Sequence, residues 1–417
     1  MRIGFISTRL AGTDGVSLET AKWAAVLESM GHEVFYCAGE LEEGGPPGML
    51  VPEMHFRDPE AERISHHAFG TTKAHPDLRS RIEGRAARLK EALRAFVADY
   101  DIELIVPENA LAIPMQIPLG VALAGLIAET GIPTIAHHHD FYWERRRFRV
   151  CAVPNILDAA FPPDLPSIRH VVINSIAQRD LKARRGIDSV IIPNVFDFAT
   201  PPPGVDDFNA DFRQVIGLEK DDLFLLQPTR VVPRKGIELA IELVRRLGDP
   251  RCRLVITHPA GDEGPDYLHR LQALAREADV DLRYVANRMG PSRGITPSGE
   301  KIYSLWDAYI HADLVTYPSL YEGFGNALLE AIYFQKPVFI NRYPVYAADI
   351  APLGFDFVEI DGQVTDDAVA QVGQVLADEG RRRTMVEHNF RLGREHFSYR
   401  VLEERLGALL EGVRGKG

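Results

Sequence analysis

Apolar and polar positions run in blocks along this chain: a short apolar run, a polar or glycine-bearing turn, then an amphipathic stretch. In the first half, Arg2–Ser7, Glu33–Ala38, Ile102–Val106, Thr134–His137, His170–Asn174 and Val190–Ile192 read as strands, and Ser17–Met30 reads as the first helix. Near-continuous apolar strands separated by helical stretches predict parallel sheets joined by helical crossovers. The rhythm breaks over Phe198–Phe212, where Pro201-Pro-Pro-Gly204 and several aspartates show no period, so this segment reads as a linker. It then restarts with strands at Leu223–Gln227, Arg253–Thr257, Asp281–Val285, Leu314–Tyr317 and Pro337–Asn341. The helices are Gly236–Leu247, Asp266–Ala278 and Ala327–Phe334.

The predicted class is therefore α/β, with two doubly wound, Rossmann-like parallel-sheet domains over 1–197 and 198–395 facing a central cleft. Ligands of such sheets bind at the carboxyl ends of the strands. The remainder, 396–417, carries the amphipathic helix Tyr399–Val413 and is expected to pack back on the N-terminal domain.

Composition narrows the partners. With 47 Lys+Arg against 59 Asp+Glu in 417 residues the formal charge is −12, which disfavours nucleic acid. Three dispersed cysteines form neither a disulfide framework nor a C-x-x-C site, and the expected compartment is the cytoplasm. The opening Met1–Thr8 turns polar too soon for the apolar core of a signal peptide. Ala110–Ala128 is uncharged and long enough to span a bilayer. Pro114, Gln116, Pro118 and Gly120 within it, and the strands on either side, favour a buried helix instead. No basic amphipathic helix for membrane docking is visible, so no stable membrane insertion is expected. Oligomeric state, a homo-oligomer included, is left open.

The G-x-G-x-x-G, P-loop, H-E-x-x-H and G-x-S-x-G patterns are all absent. The informative segment is Tyr317-Pro-Ser-Leu-Tyr-Glu-Gly-Phe-Gly-Asn-Ala-Leu-Leu-Glu330. A strand ends, a loop carries Glu322-Gly323-Phe324-Gly325, and a helix begins near Asn326. Glycines at a helix N-terminus let backbone N–H groups approach a phosphate. Glu330, one turn into the helix, can accept hydrogen bonds from ribose hydroxyls. A tight strand–helix turn is the plain alternative. Arg230 and Lys235 follow an earlier strand in Pro228-Thr-Arg-Val-Val-Pro-Arg-Lys-Gly236; there the alternative is a surface lysine at a helix start.

In the first half, Ala11-Gly12-Thr-Asp-Gly15-Val16 forms a glycine turn between strand and helix. Ile135-Ala-His-His-His139-Asp140 ends another strand. Alternation sends His137 and His139 to one face and His138 to the other, where it can be a satisfied core histidine. No further Cys or His cluster completes a ligand set, so no protein-bound metal is expected. Phe141-Tyr142-Trp-Glu-Arg145-Arg-Arg147 suits an anionic, hydroxyl-rich ligand or a solvated face, and Glu108-Asn109 closes one more strand. The Gly-, Pro- and Ser-rich segment Asn287–Lys301 reads either as a mobile loop or as a surface insertion.

Glu322 to Ala331, followed by Lys336-Pro-Val338, resembles the E-x7-E signature of retaining GT-B glycosyltransferases of family 4. Pro228–Gly236 is similar to that family's diphosphate-binding loop. Pro193-Asn-Val-Phe-Asp197 is similar to its P-N-G-V-D segment, with Val195 in place of glycine. The resemblance runs from Gly4 to about residue 400. It implies a hexosyltransferase, extending to compatible-solute synthases, with a nucleotide-sugar donor (GDP-mannose or UDP-glucose) and no obligatory cofactor. His139, Glu322, Arg230 and Lys235 would be catalytic. Gly15, Arg230, Lys235, Gly323, Phe324, Gly325, Asn326 and Glu330 would bind the donor. Gly12, Glu108, Asn109, Asp140, Tyr142 and Arg145 would contact a small, anionic, glycerate-type or sugar-phosphate acceptor. The rivals are an epimerase on the same fold, a transferase acting on a glycan or lipid-linked acceptor, a silent nucleotide-sugar binder and a glycoside hydrolase using Glu322 and Glu330. Eight residues of helix would hold those two carboxylates about 12 Å apart, beyond the roughly 5–9.5 Å that hydrolases use.

Overall fold

The computed structural model describes residues 1–12, 14–260 and 265–414. Thr13 of the glycine turn and 415–417 of the terminal segment lie outside them. The chain divides into two units, Met1–Asn194 with Tyr399–Gly417, and Val195–Ser398.

The first unit holds β1 (Arg2–Ser7), β2 (Glu33–Ala38), β3 (Gly48–Leu50), β4 (Leu104–Pro107), β5 (Thr134–His138), β6 (Ile168–Val172) and β7 (Ser189–Ile191). They form one sheet in the order β3-β2-β1-β4-β5-β6-β7, every pair parallel. The order reverses between β1 and β4, where Ser7 Oγ donates to the Glu108 carbonyl at 3.1 Å and ties the two strand ends together. The core over one face joins Ile6, Cys37, Leu93, Phe96, Ile105, Leu123 and Ala136. The uncharged stretch becomes the helix Ile117–Thr130, with proline in its first turn and Gly131 closing it at φ 64°. Among the described residues no helix is long and apolar enough to cross a membrane.

The second unit holds β8 (Leu223–Gln227), β9 (Cys252–Ile256), β10 (Leu282–Tyr284), β11 (Gly294–Ile295), β12 (Lys301–Ile302), β13 (Leu314–Tyr317), β14 (Val338–Asn341) and β15 (Val358–Ile360). Its six-stranded sheet runs β10-β9-β8-β13-β14-β15, again parallel throughout. The reversal lies between β8 and β13. There Thr316 Oγ1 donates to Gln227 Oε1 at 2.8 Å, and Gln227 Nε2 donates to Thr229 Oγ1 at 2.8 Å, so both strand ends share one buried polar chain.

Two expectations change. The supposed linker is fastened to the second unit: Phe198 is buried against Tyr333 and Phe390, and Asn209 donates to the buried Asp307 at 3.1 Å. Its lack of period reflects isolated anchors rather than looseness. The segment 287–301 folds as a 3-10 turn and the β11–β12 hairpin, fixed by Arg293, which bonds Asp307 at 3.1 Å and Asp206 at 2.7 Å.

Alternation places His138 on the face opposite His137, where its Nε2 meets Nδ1 of His170 at 2.9 Å. Burial pushes His170 down to about 4, and burial with the His170 charge pushes His138 well below its usual range. Folded values below the unfolded value of about 6.5 mean that the unfolded chain binds more protons as pH falls. Stability is then fully present above pH ~6.5 and declines toward pH ~4, on the order of 3 kcal/mol for His170 alone. Urea midpoints measured across this window should fall with pH, and His170→Phe should flatten the slope. An unchanged slope would remove the pair from the acid response.

Candidate active site

In the second unit, the loops after β8 and β13 meet at the strand-order reversal. Pro233–Lys235 make one 3-10 turn, closed by Gly236 at φ 59°. A side chain at Gly236 would bring its Cβ within 2.4 Å of the Pro318 carbonyl oxygen, so only glycine lets the two loops touch. Leu320 N–H donates to the Arg234 carbonyl at 2.8 Å, and Asn341 Nδ2 donates to the Ser319 carbonyl at 3.0 Å.

Lys235 and Glu322 are both more than nine-tenths buried, and the Lys235 ammonium donates to Glu322 Oε1. Arg234 Nη1 donates to Glu322 Oε2 and to the Tyr321 carbonyl, each at 3.1 Å. Burial opposes ionisation of Glu322, but the charges of Lys235 and Arg234 outweigh it and hold the carboxyl below its ordinary range. Lys235 is not the surface lysine of the plain alternative. Arg230 is exposed at the mouth of the same loop. His258, at the end of β9, is pushed down to about 4 by burial and by the charges of Lys235 and Arg230.

The helix Asn326–Tyr333 starts from Gly325 at φ 132°, with no side chain capping it. A Cβ at Gly325 would lie 2.7 Å from the Tyr343 hydroxyl, which donates to the Phe324 carbonyl at 2.6 Å. Glu330 lies one turn into this helix and half-buried. Glu322 precedes the helix, so the helical arithmetic applied to the hydrolase alternative does not hold. Helical rise covers only Asn326 to Glu330, about 6 Å.

In the first unit, Gly12 adopts φ 78° and its N–H donates to Glu42 at 2.6 Å. Asp14 accepts from Val16 N–H at 3.1 Å and Ser17 N–H at 3.3 Å. The helix that begins at Gly15 therefore already carries a carboxylate at its N-terminus, in the position expected for a donor phosphate.

Glu108 and Asn109 follow β4, beside the end of β5. The Glu108 side chain is fully buried between His137 Nδ1, at 3.0 Å, and His139 Nε2, at 3.1 Å. Asn109, at φ 57°, accepts from His139 N–H at 3.1 Å and donates to Asp140 at 2.9 Å. Asp140 in turn accepts from Arg145. Four predicted acceptor residues thus form one hydrogen-bonded chain around His139. Tyr142 joins it only through its carbonyl, which accepts from Arg145 N–H at 3.2 Å, and its side chain lines a cavity of about 420 Å³ with Trp143, Arg149 and Asp158. The histidine pair is joined by a carboxylate, not by a further Cys or His. Ligand atoms of Glu108, His137 and His139 all lie within 4.8 Å of one another, a spacing that could hold a metal ion.

Residues 208–391 match the family model described as glycosyl transferases group 1. Over 97% of the chain and 98% of its counterpart, the sequence is 35% identical to the mannosylglucosylglycerate synthase of Thermotoga maritima. The chain belongs to the group 1 glycosyltransferases. It is also 35% identical to the mannosylglucosylglycerate synthase of Petrotoga mobilis, over 86% of each chain. Its fold is GT-B. The sucrose-phosphate synthase of Thermosynechococcus elongatus superposes over the full length of both chains with TM-score 0.69 at 16% identity. Anabaena HepE, solved with UDP and glucose, gives 0.65 at 14% identity over 98% of this chain and 99% of its own.

Arg234 is the residue of this glycosyltransferase that sequence reasoning passed over, although it stands next to Lys235. Only the 3-10 turn, which brings both side chains to Glu322, reveals it. His258 carried no sequence signal. The buried pair generates a stability prediction. Removing the Lys235 ammonium leaves Arg234 as the cation beside the buried Glu322, a loss of about 3 kcal/mol. Lys235→Ala should lower the urea midpoint accordingly, and adding Glu322→Gln to the same chain should recover most of it. A single variant more stable than the parent would return Lys235 to the role of a surface residue.

Proposed function

We propose that this glycosyltransferase moves a mannosyl group, with retention of configuration, from a nucleotide-sugar to a glycerate-type acceptor carrying a glucosyl group. The observation that carries this reading is 35% identity with a mannosylglucosylglycerate synthase over 97% of this chain and 98% of that one. GDP-mannose is the preferred donor and UDP-glucose the alternative. The N-terminal unit is assigned to the acceptor and the C-terminal unit to the donor.

The chemistry is leaving-group stabilisation. The bond from the anomeric carbon to the diphosphate breaks, and the new bond to the acceptor oxygen forms on the face that is vacated. The acceptor proton passes to a phosphate oxygen. Arg230, Arg234 and Lys235 supply positive charge for the departing diphosphate. Backbone N–H groups over Gly323–Asn326 support the same charge, and Phe324 shapes the loop. Glu322, held ionised, stabilises cationic character on the sugar, and Glu330 receives the ribose hydroxyls. His139 contacts the transferred sugar, and Arg145 with Asp140 meets the acceptor. Glu322 is a poor general acid for hydrolysis, because that role requires a raised pKa.

Incubation of each nucleotide-sugar with glucosylglycerate, glycerate and 3-phosphoglycerate, read by mass spectrometry, tests the reading. A hexose added to glucosylglycerate from GDP-mannose is the expected product, formed equally in excess EDTA. Turnover of the donor without an acceptor would favour the epimerase. A residue-level prediction accompanies it. Glu330→Ala should weaken the free nucleoside diphosphate by one to two decades, the scale of about 1.5–3 kcal/mol for a charge-assisted hydrogen bond. Unchanged calorimetric affinity would remove Glu330 from the ribose.

A further inference from the structure

The carboxylate of Glu108 does not face solvent at all. Its side chain is 0% exposed, His137 is 1% exposed, and only His139, at 9%, is touched by solvent. An isolated carboxylate in that position would be strongly disfavoured, so its partners define its state. Oε2 accepts from both imidazoles, His137 through Nδ1 and His139 through Nε2. The backbone sets this meeting, because Glu108 and His137 are bridge partners on adjacent strand ends, and Glu108 N–H donates to the Ile6 carbonyl at 2.8 Å. Trp23 stacks on the His137 ring at 4.1 Å and fixes its plane.

We propose that Glu108 is a positioning residue for His139, fixing a hydrogen on its Nε2, leaving Nδ1 as the substrate-facing nitrogen, and coupling it to His137 as one unit. This rests on the assignment of His139 to the sugar and replaces direct acceptor contact as the role of Glu108.

The surrounding charges agree with that arrangement. The helix Gly15–Ser29 contributes Glu19, which is paired with Lys22. The histidine segment contributes His137, His138 and Asp140, the last bound to Arg145. Burial alone would lower His139, but hydrogen bonding and charge from Glu108, with Glu19 and Asp140, hold it above its usual value. For His137 burial prevails, and it stays below. One carboxylate thus lies between a histidine held above its ordinary value and one held below it, in the manner of an orienting carboxylate behind a functional imidazole.

The test uses the full chain with 13C-labelled histidine, the His139 resonance being assigned with His139→Gln. In the parent, His139 should titrate above pH 6.5, and in Glu108→Gln its midpoint should fall by about one pH unit or more. In transfer assays, the same variant should lose about 10–100-fold in kcat, with donor KM changed less than about 3-fold and the pH optimum displaced. His137→Phe, which removes a competing donor to Glu108 and a repelling imidazole, should move the His139 midpoint slightly upward. An unmoved His139 midpoint in Glu108→Gln would overturn the proposal, as would equal loss of kcat and donor binding. Stoichiometric divalent metal in the purified parent that disappears in Glu108→Gln would also overturn it, since the carboxylate would then be a ligand. If Glu108→Gln fails to fold, Glu108→Asp gives the same readouts with the charge kept and the contact lengthened. The titration does not depend on which sugar is transferred, so a failed transfer assay with a displaced midpoint would count against the proposed function and not against the positioning role.

Discussion

The loops after β8 and β13 depend on one buried ion pair. Lys235 and Glu322 lie 87 residues apart in sequence on different loops, and each is desolvated. Burying two charges costs several kcal/mol per ion, and attraction offsets that only where the geometry is held tightly. The surrounding contacts supply that hold. Gly236 lets its backbone lie against Pro318, Leu320 bonds to Arg234, and the Gln227–Thr316 link fixes the strand ends from which both loops depart. Arg234 adds a second cation, so Glu322 stays ionised without a proton of its own. A charged carboxylate beside concentrated positive charge suits chemistry in which a diphosphate leaves and the sugar becomes transiently cationic.

The N-terminal unit solves a related problem with different partners. Glu108 is also a carboxylate buried between two basic side chains at a strand-order reversal. Its partners are imidazoles, whereas those of Glu322 are an arginine and a lysine whose ammonium burial pushes below its ordinary range. The same local device is therefore built on a lysine and an arginine in one unit and on two histidines in the other.

Much of this was legible in the sequence, for physical reasons that also mark the limits. Buried parallel strands such as β1 and β13 are apolar on both faces, so they stand out as runs. The three-residue strands Gly48–Leu50 and Val358–Ile360 are too short to show any period. In the loops after β8 and β13, Glu322, Lys235 and the glycines are visible because each is unusual for a strand–helix turn. The His–Glu–His cluster was not. Its members were noticed separately, but Glu108 and His137 become neighbours only through the register of β4 against β5, and residue spacing does not encode register. Phe198 and Asn209 escaped for a similar reason, since single anchors in a Pro-rich segment carry no periodic signal.

The seven residues between Glu322 and Glu330 illustrate how spacing and geometry differ. As a helix, that interval would set the two carboxylates on one rod. Instead it divides into a loop that turns at Gly325, where φ is 132°, and one turn of helix from Asn326. The loop directs Glu322 back toward Lys235, and the helical turn carries Glu330 to the other end of the segment. The interval is consequently sensitive at its centre. A side chain at Gly325 would meet the Tyr343 hydroxyl at 2.7 Å, displacing the group that holds the Phe324 carbonyl. Moving the helix start relative to the ion pair would leave Glu322 buried without its partners. The motif is thus a constraint on two local geometries joined at one glycine, and its fixed length follows from the ion pair at one end and the helix start at the other.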